Sequence, residues 1–251
     1  MNRLIITVAL CTSGLSLRAE NANERLEEAT QIFKEIMATP EKGIPQDLLE
    51  KAHCIVIVPS LKQAALGIGG KYGRGFAICR RNQAGWGAPA AVRVEGGSVG
   101  FQIGASSTDA IMLIMNERGI RRLLEDKFTM GAQASVAAGP VGRSVSAQTD
   151  AQLSADILSW SRARGLFAGI ALEGATMRND LDENEELYGS KLHNKEILLT
   201  ERKPPGSATP LLAMLNQYSR HESPNKPLET RAQEEITGDA DRAKPKTDNK
   251  P

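Results

Sequence analysis

The feature that most constrains this chain is a glycine-dense run of strand-like segments between Cys54 and Met115. It opens on C-I-V-I-V at Cys54–Val58, a β-branched stretch stopped by Pro59-Ser60, which predicts a buried strand. Phe76–Arg80, Trp86–Val94, Gly97–Gly104 and Asp109–Met115 follow as further strands. Asn82–Gly85, Glu95-Gly96 and Ser106–Thr108 predict the turns between them. The stretch G-I-G-G-K-Y-G-R-G at Gly67–Gly75 does not fit the dinucleotide pattern G-x-G-x-x-G. A phosphate-binding loop ending at Gly70-Lys71 would need glycine where Ala65 stands, and a Ser or Thr after Lys71. No cofactor is expected. The glycines serve the backbone: bulges, positive φ and close approach of strands.

Helices flank this run. Leu26, Ala29, Phe33 and Ile36 recur at steps of three and four and predict an amphipathic helix over Asn23–Met37. Such a helix suits either a membrane interface or the surface of the domain. Its acidic polar face favours the second, because anionic lipid would repel it. Short helices are expected over Gln46–Ala52, from Ile120 to Leu124, in the acidic stretch Asp180–Gly189 and over Asn194–Leu199. Phe128–Ala138 and Val141–Gln148 read as strands around the turn Ala138-Gly139-Pro140. Asp150–Arg164 reads as a helix whose end carries Ile157, Leu158 and Trp160 beside Arg162 and Arg164. Gly165 breaks it, and L-F-A-G-I-A-L follows as a buried strand. Arg162 and Arg164 then suit the carbonyls at a helix end, and Trp160 suits the core. The fold class implied is α+β: a mainly antiparallel, barrel-like sheet with an N-terminal amphipathic helix and short flanking helices.

Three segments follow along the 251 residues. Residues 1–19 resemble an export leader, with Arg3 before the apolar Leu4–Leu17 and cleavage after Ala19. Val8-Ala9-Leu10-Cys11 also loosely resembles a lipoprotein motif that would acylate Cys11. Residues 20–200 form the domain. From Thr200 prolines sit among polar and charged residues, which predicts a disordered tail over 201–251 with at most one helical turn at Leu211–Leu215. Outside the leader two cysteines remain, Cys54 and Cys79. In an oxidising compartment they form a disulfide; otherwise they are two buried thiols.

A net charge of +1 and 4% aromatic residues argue against a nucleic-acid partner. Charge is nevertheless uneven. No acidic residue lies between Glu50 and Glu95, an interval holding Lys51, Lys62, Lys71, Arg74, Arg80, Arg81 and Arg93. Lys62, Lys71, Arg74, Arg80 and Arg81 are the candidate contacts for an anionic lipid or membrane surface. A solvated face, or pairing with the acidic segments, is the alternative. Catalysis has little support: no G-x-S-x-G, H-E-x-x-H or C-x-x-C occurs, which leaves His193 as a base or Glu173 as a buried carboxylate for a hydrolase. The acidic loop from Asp180 suits a helix N-cap better than a calcium or other metal site.

Several of these stretches recur together in one family. They are E-I-M-A-T-P-E-K-G-I-P-Q-D-L-L at Glu35–Leu49, C-I-V-I-V-P-S, G-G-K-Y-G-R-G, Cys79-Arg80 and G-W-G-A-P-A at Gly85–Ala90. G-G-S-V-G-F-Q-I-G at Gly96–Gly104, A-A-G-P-V-G-R at Ala137–Arg143 and Ile157–Gly174 complete the set. In this order they resemble the SYLF domain family, a lipid-binding domain also described as a yeast actin-binding domain, over about residues 24–200. The resemblance implies binding, not catalysis. Eukaryotic members bind phosphoinositide-rich membranes through basic residues and an N-terminal amphipathic segment, and some bind and bundle actin. Bacterial members are exported proteins or lipoproteins. The leader makes this chain look like an exported bacterial member, for which cytoplasmic actin is an unsuitable partner. An envelope structural or interaction role is the alternative to lipid binding.

Overall fold

The computed structural model describes residues 20–38, 43–81, 85–140, 154–163, 166–169 and 172–219. Two strands dominate it: β1 (Cys54–Arg81) and β3 (Ala90–Ile114), antiparallel over nearly their whole length. The turns expected at Glu95-Gly96 and Ser106–Thr108 are absent, and the segments expected on either side are one continuous strand. Strands of 28 and 25 residues cannot stay flat, because each residue adds right-handed twist. Two breaks in register bend the pair further. One lies between Val58 and Leu61, where Pro59 has no N–H to offer and Ser60 adopts φ 50°. The other lies between Leu66 and Ile68.

The pair curls until β1 meets its own beginning. Arg80 N donates to His53 O at 2.8 Å, and Cys54 and Cys79 are joined by a disulfide, the first of the two outcomes left open by the sequence. Glycine makes the crossing possible. A Cβ on Gly75 would lie 2.1 Å from Ile57 O, and one on Gly73 2.8 Å from a Val58 methyl.

The remaining strands extend this curled, half-barrel sheet. β2 (Gly85–Trp86) pairs with the end of β1. β4 (Lys127–Thr129) pairs with β8 (Thr176–Asn179), and β8 pairs with β3. β6 (Ile157–Ala163) lies antiparallel to the end of β3, from Asp109 to Ile114; β5 (Val136–Ala138) runs parallel to it and β7 (Leu166–Gly169) antiparallel. The sheet is therefore mixed.

Both faces of the closed part are covered. Ile55, Ile57, Phe76, Ile78, Ile111 and Leu113 face one core, where α1 (Ala22–Met37), α2 (Gln46–Lys51) and α6 (Thr209–Tyr218) pack. Val56, Val58, Val92, Val94, Met112 and Ile114 face a second core with Phe128, Met177 and Ile197. Burial on both faces explains why C-I-V-I-V lacks polar alternation. Each such side chain contributes about 1.5–3 kcal/mol. The helices α3 (Glu117–Leu123), α4 (Leu181–Tyr188) and α5 (Asn194–Leu198) complete the described elements, and Asp180 caps α4 by accepting from Glu183 N at 3.4 Å.

Two expectations are corrected. Ile157–Ala163 is a strand, not a helix end: Leu158 and Trp160 face the first core and Ile157 the second, a period of two hidden by the short run. Trp160 is fully buried, donates from Nε1 to Pro140 O at 2.9 Å, and lies flat against Gly139. Arg162 is no helix-end cation; it pairs with Asp109 at 2.6 Å and with Glu35 of α1. The domain also does not end near Thr200. A 3₁₀ turn at Gly206–Ala208 and α6 remain in the fold, with Leu211 and Leu215 fully buried. The leader with Cys11, the strand expected over Val141–Gln148, Arg164 and residues 220–251 lie outside the described residues.

Candidate functional site

The five cations proposed from the sequence separate in space. Arg80 is committed to the fold. Its Nε donates to Ala52 O at 2.9 Å, Nη2 to Leu49 O at 2.8 Å and Nη1 to Ser219 O at 3.2 Å. Leu49 and Ala52 end α2 and Ser219 ends α6, so one guanidinium caps two helix C-termini. The group lies 4.4 Å over the Trp86 ring, and burial lowers its pKa. Arg81 donates to the carbonyls of Thr200 and Arg202. Lys62 is exposed and Lys71 half-buried, and neither has an ion-pair partner among the described residues. Lys71 is three residues from Arg74 and so points to the other side of its strand.

Arg74 leads to an arrangement that the linear sequence hides. It lies opposite Arg93 of β3, Arg93 lies opposite Arg178 of β8, and Arg178 lies opposite Lys127 of β4. Directly opposed residues of antiparallel strands share a face. The neighbours Val92, Val94, Met177 and Phe128 point into the second core, so the four cations form a row on the outer face. Three strand spacings make the row about 14 Å long. Like charges set opposite one another destabilise a sheet by roughly 0.2–1 kcal/mol per pair, so a row of four needs an external or internal counter-charge.

The internal counter-charge is partial. Arg74 Nε lies 2.9 Å from Asp180 and 3.9 Å from Glu183. Glu95 takes Arg178 at 2.9 Å and Arg93 at 3.7 Å. Glu183 is also the partner of Arg25, which reaches in from α1. Arg25, Arg74, Arg93 and Arg178 thus pair with Glu20, Asp180, Glu183 and Glu95, and Lys127 has no ion-pair partner among the described residues. Burial pushes Glu183 up to about 7 against the pull of Arg25. Burial opposes the charge on Arg74, but Asp180, Tyr72 and Glu183 outweigh it and raise its pKa. The field reaches Asp182, which is held below the usual carboxylate range by its Lys191 hydrogen bond and, less, by Arg74 and Arg93.

Sequence reasoning missed Arg178 and Lys127, and gave Arg93 no role, because the residues of the row are separated by up to 104 positions in the chain. The linear signs were that Arg74 and Arg93 lie in the acid-free interval Glu50–Glu95 and that no acidic residue follows Lys127 until Asp150. The catalytic alternatives fare differently. Glu173 is exposed in a turn, not buried. His193 heads α5, with Nδ1 2.7 Å from Asp126 and 3.3 Å from Asn179. No hydrogen bond links the two among the described residues.

Comparison with known proteins agrees with the fold-forming signature. The family model Ysc84, described as Las17-binding protein actin regulator, matches residues 95–218 and so includes α6. Protein YSC84 of Saccharomyces cerevisiae is 32% identical over 189 residues, 72% of this chain and 40% of that protein. The SH3 domain-containing protein PJ696.02 of Schizosaccharomyces pombe is 34% identical over 179 residues, 70% of this chain and 41% of that protein. The human SH3 domain-containing YSC84-like protein 1 is 28% identical over 208 residues, covering 82% and 60%. The chain therefore spans less than two thirds of each of these relatives. On the family match and these relatives, the chain belongs to the Ysc84, or SYLF, domain family.

Proposed function

We propose that the protein binds anionic lipid at a membrane surface, without catalysis, through the outer face that carries Arg74, Arg93, Arg178 and Lys127. The cation row is the observation that carries this reading. A row of four cations that spans several strands, with Lys127 left without an ion-pair partner among the described residues, suits a surface of many phosphates better than one small ligand in a cavity. Each exposed Lys or Arg held near such a surface contributes about 1 kcal/mol, and salt weakens it. No helix among the described residues is long and apolar enough to cross a membrane, and the reading requires none. Of the cations named from the sequence, Arg74 belongs to the row, Lys62 and Lys71 lie along the same strand, and Arg80 and Arg81 act through the fold.

The location that fits is the bacterial envelope. The leader-like Arg3 and Leu4–Leu17, with the alternative of acylation at Cys11, support export, and the Cys54–Cys79 disulfide suits an oxidising compartment. The family description favours a second reading: an acidic protein partner, actin-like or of the envelope, on the same face.

Flotation with vesicles of phosphatidylcholine alone or with added phosphatidylglycerol tests the first reading. Binding is expected only with the anionic lipid and is expected to fall between 0.1 and 0.5 M salt. Binding that ignores lipid charge, or that survives Arg178→Gln with Lys127→Gln, overturns it. Co-sedimentation with actin filaments but not with vesicles would favour the second.

A further inference from the structure

The geometry points to a subsite within the cation row: Arg93 and Arg178 take a doubly charged phosphate group, and in the free protein the Glu95 carboxylate stands in its place. This rests on the lipid reading above and names the headgroup chemistry that the face selects. Glu95 is two residues from Arg93 on β3 and so shares its face. Its neighbours across the ladder are Tyr72 of β1 and Thr176 of β8, and Thr176 lies opposite Thr129 of β4. A second row, Tyr72–Glu95–Thr176–Thr129, therefore runs beside the cations, and every member except Glu95 carries a hydroxyl. Tyr72 is 45% exposed, and Thr176 Oγ1 lies 3.4 Å from Thr129 Oγ1. Glu95 leans out of this row toward the arginines. Its Oε1 accepts from Arg178 Nη1 at 2.9 Å, and its Oε2 lies 3.7 Å from Arg93 Nε.

One carboxylate does not serve both arginines. The contact with Arg93 is too long for a hydrogen bond, and Arg93 Nε is buried without a hydrogen-bond partner among the described residues. Such a donor is costly until something completes it. Arg93 is also opposed by an arginine on each side, Arg74 and Arg178. A group that completes this pair must bring more oxygens and more charge than the carboxylate it displaces. A phosphodiester offers two free oxygens and one negative charge, which only repeats what Glu95 supplies. A phosphate monoester, or phosphate itself, offers at least three oxygens and about −1.5 to −2 charges near neutral pH. It bonds Arg178 and Arg93 together, with the hydroxyls of Tyr72 and Thr176 at its rim. Glu95 yields readily, because its side chain and that of Arg178 are 35% and 43% exposed, and pairs so open to water are weak. Glu95 thus sets selectivity: it competes on equal terms with a singly charged headgroup and loses to a doubly charged one.

The test compares vesicles of phosphatidylcholine mixed with phosphatidate or with phosphatidylglycerol, matched in surface charge. The full chain is expected to bind phosphatidate at least about fivefold more tightly. Glu95→Gln is expected to raise affinity for phosphatidylglycerol about fivefold and to shrink the preference below about twofold. Arg93→Lys keeps the charge but loses the planar fork, and is expected to lose the preference as well. Removing one negative charge without a subsite would raise both affinities equally, so an equal rise in Glu95→Gln with the preference intact overturns the subsite and leaves the lipid reading standing. Thermal melts in inorganic phosphate, against chloride at equal ionic strength, separate the two sources of the group. A rise in melting temperature that Arg93→Lys abolishes, with both vesicles bound equally, supports the subsite and assigns it to soluble phosphate. Equal binding of both vesicles without that rise overturns it. If the parent binds neither anionic vesicle, the lipid reading falls, and the phosphate melt alone decides the subsite.

Discussion

The β1–β3 pair has two regimes that the sequence writes in the same letters. At the closure, Gly73, Gly75, Cys79 and Arg80 hold the strand against its own beginning. On the outer ribbon formed by Leu61–Gly73 of β1 and Gly96–Thr108 of β3, Lys62, Gly70 and Gly97 are exposed and Lys71 is half-buried. Both regimes are glycine-rich and basic. What separates them is the inventory of neighbours. At the closure Gly75 meets backbone that cannot move aside, Gly73 meets buried methyls, Cys79 is bonded to Cys54, and Arg80 meets carbonyls that need a donor. On the ribbon the same residue types meet solvent, and their chemistry remains available to a partner. Composition alone marks the interval as special; only the contacts say which half holds the fold and which half can bind.

The sharpest way to break this comparison is one methyl group. Gly75→Ala places a Cβ against Ile57 O and Val58 Cα, backbone atoms of a buried strand. The expected loss is at least about 4 kcal/mol, read as a collapse of the urea midpoint or as failure to fold. Gly70→Ala meets only Gly96 O, at an ordinary 3.8 Å, and is expected to stay within about 0.5 kcal/mol of the parent. Equal effects would mean that the two regimes are not distinct.

The cations give the next contrast. Arg80→Ala removes three bonds to helix-end carbonyls and the contact with Trp86. About 3 kcal/mol of stability is expected to go, since the carbonyls of Leu49 and Ala52 lose a charged donor. Lys71→Ala should leave the melting curve within about 0.5 kcal/mol while lowering vesicle affinity. Across the cation row, Arg178→Gln with Lys127→Gln should cost about 2 kcal/mol of membrane binding at low salt, roughly thirtyfold. It should cost little stability, because it also relieves like-charge opposition. Vesicle titrations at two salt concentrations, with thermal melts alongside, measure both sides.

Much of this fold was legible where a local pattern fixes the answer. The 3.6 period of Leu26, Ala29, Phe33 and Ile36 gave α1, and β-branched C-I-V-I-V gave the start of β1. The α+β class with a curled sheet followed from glycines inside apolar runs. Local pattern failed where the period is short or the partner is distant. L-S-W-S-R alternates over too few residues to separate a strand from a helix end. Leu211 and Leu215 look isolated among prolines until α1 is seen packing against α6. Glycine pairs that resemble turns instead lie within a continuous strand. For the site, counting cations found Arg74 but also Arg80, which the fold uses itself. Arg178 and Lys127 were beyond reach, because register between strands far apart in sequence is a tertiary fact.

Arg74 belongs to both regimes, and pH separates its two roles. It sits at the end of the cation row and faces Asp180 and Glu183, while Arg25 of α1 and its partner Glu20 complete the buried group. Burial raises Glu183 from its ordinary value of 4.5 to about 7. A raised carboxylate pKa means that the folded state binds the proton more tightly than the unfolded chain. The stabilisation is fully present below about pH 4.5 and is lost as pH rises through 7. Between pH 8 and pH 5.5 this group should therefore add on the order of 1 kcal/mol of stability on acidification. Chemical denaturation at the two pH values measures it, and Glu183→Gln should remove most of the difference. The same proton alters the open face. With Glu183 neutral, Arg74 and Arg25 answer only to Asp180 and Glu20, and the row gains positive charge. Affinity for anionic vesicles should rise from pH 8 to pH 6 in the parent and stay nearly level in Glu183→Gln. A parallel rise in both would assign the pH response to other groups and confine Glu183 to the closed half of the molecule.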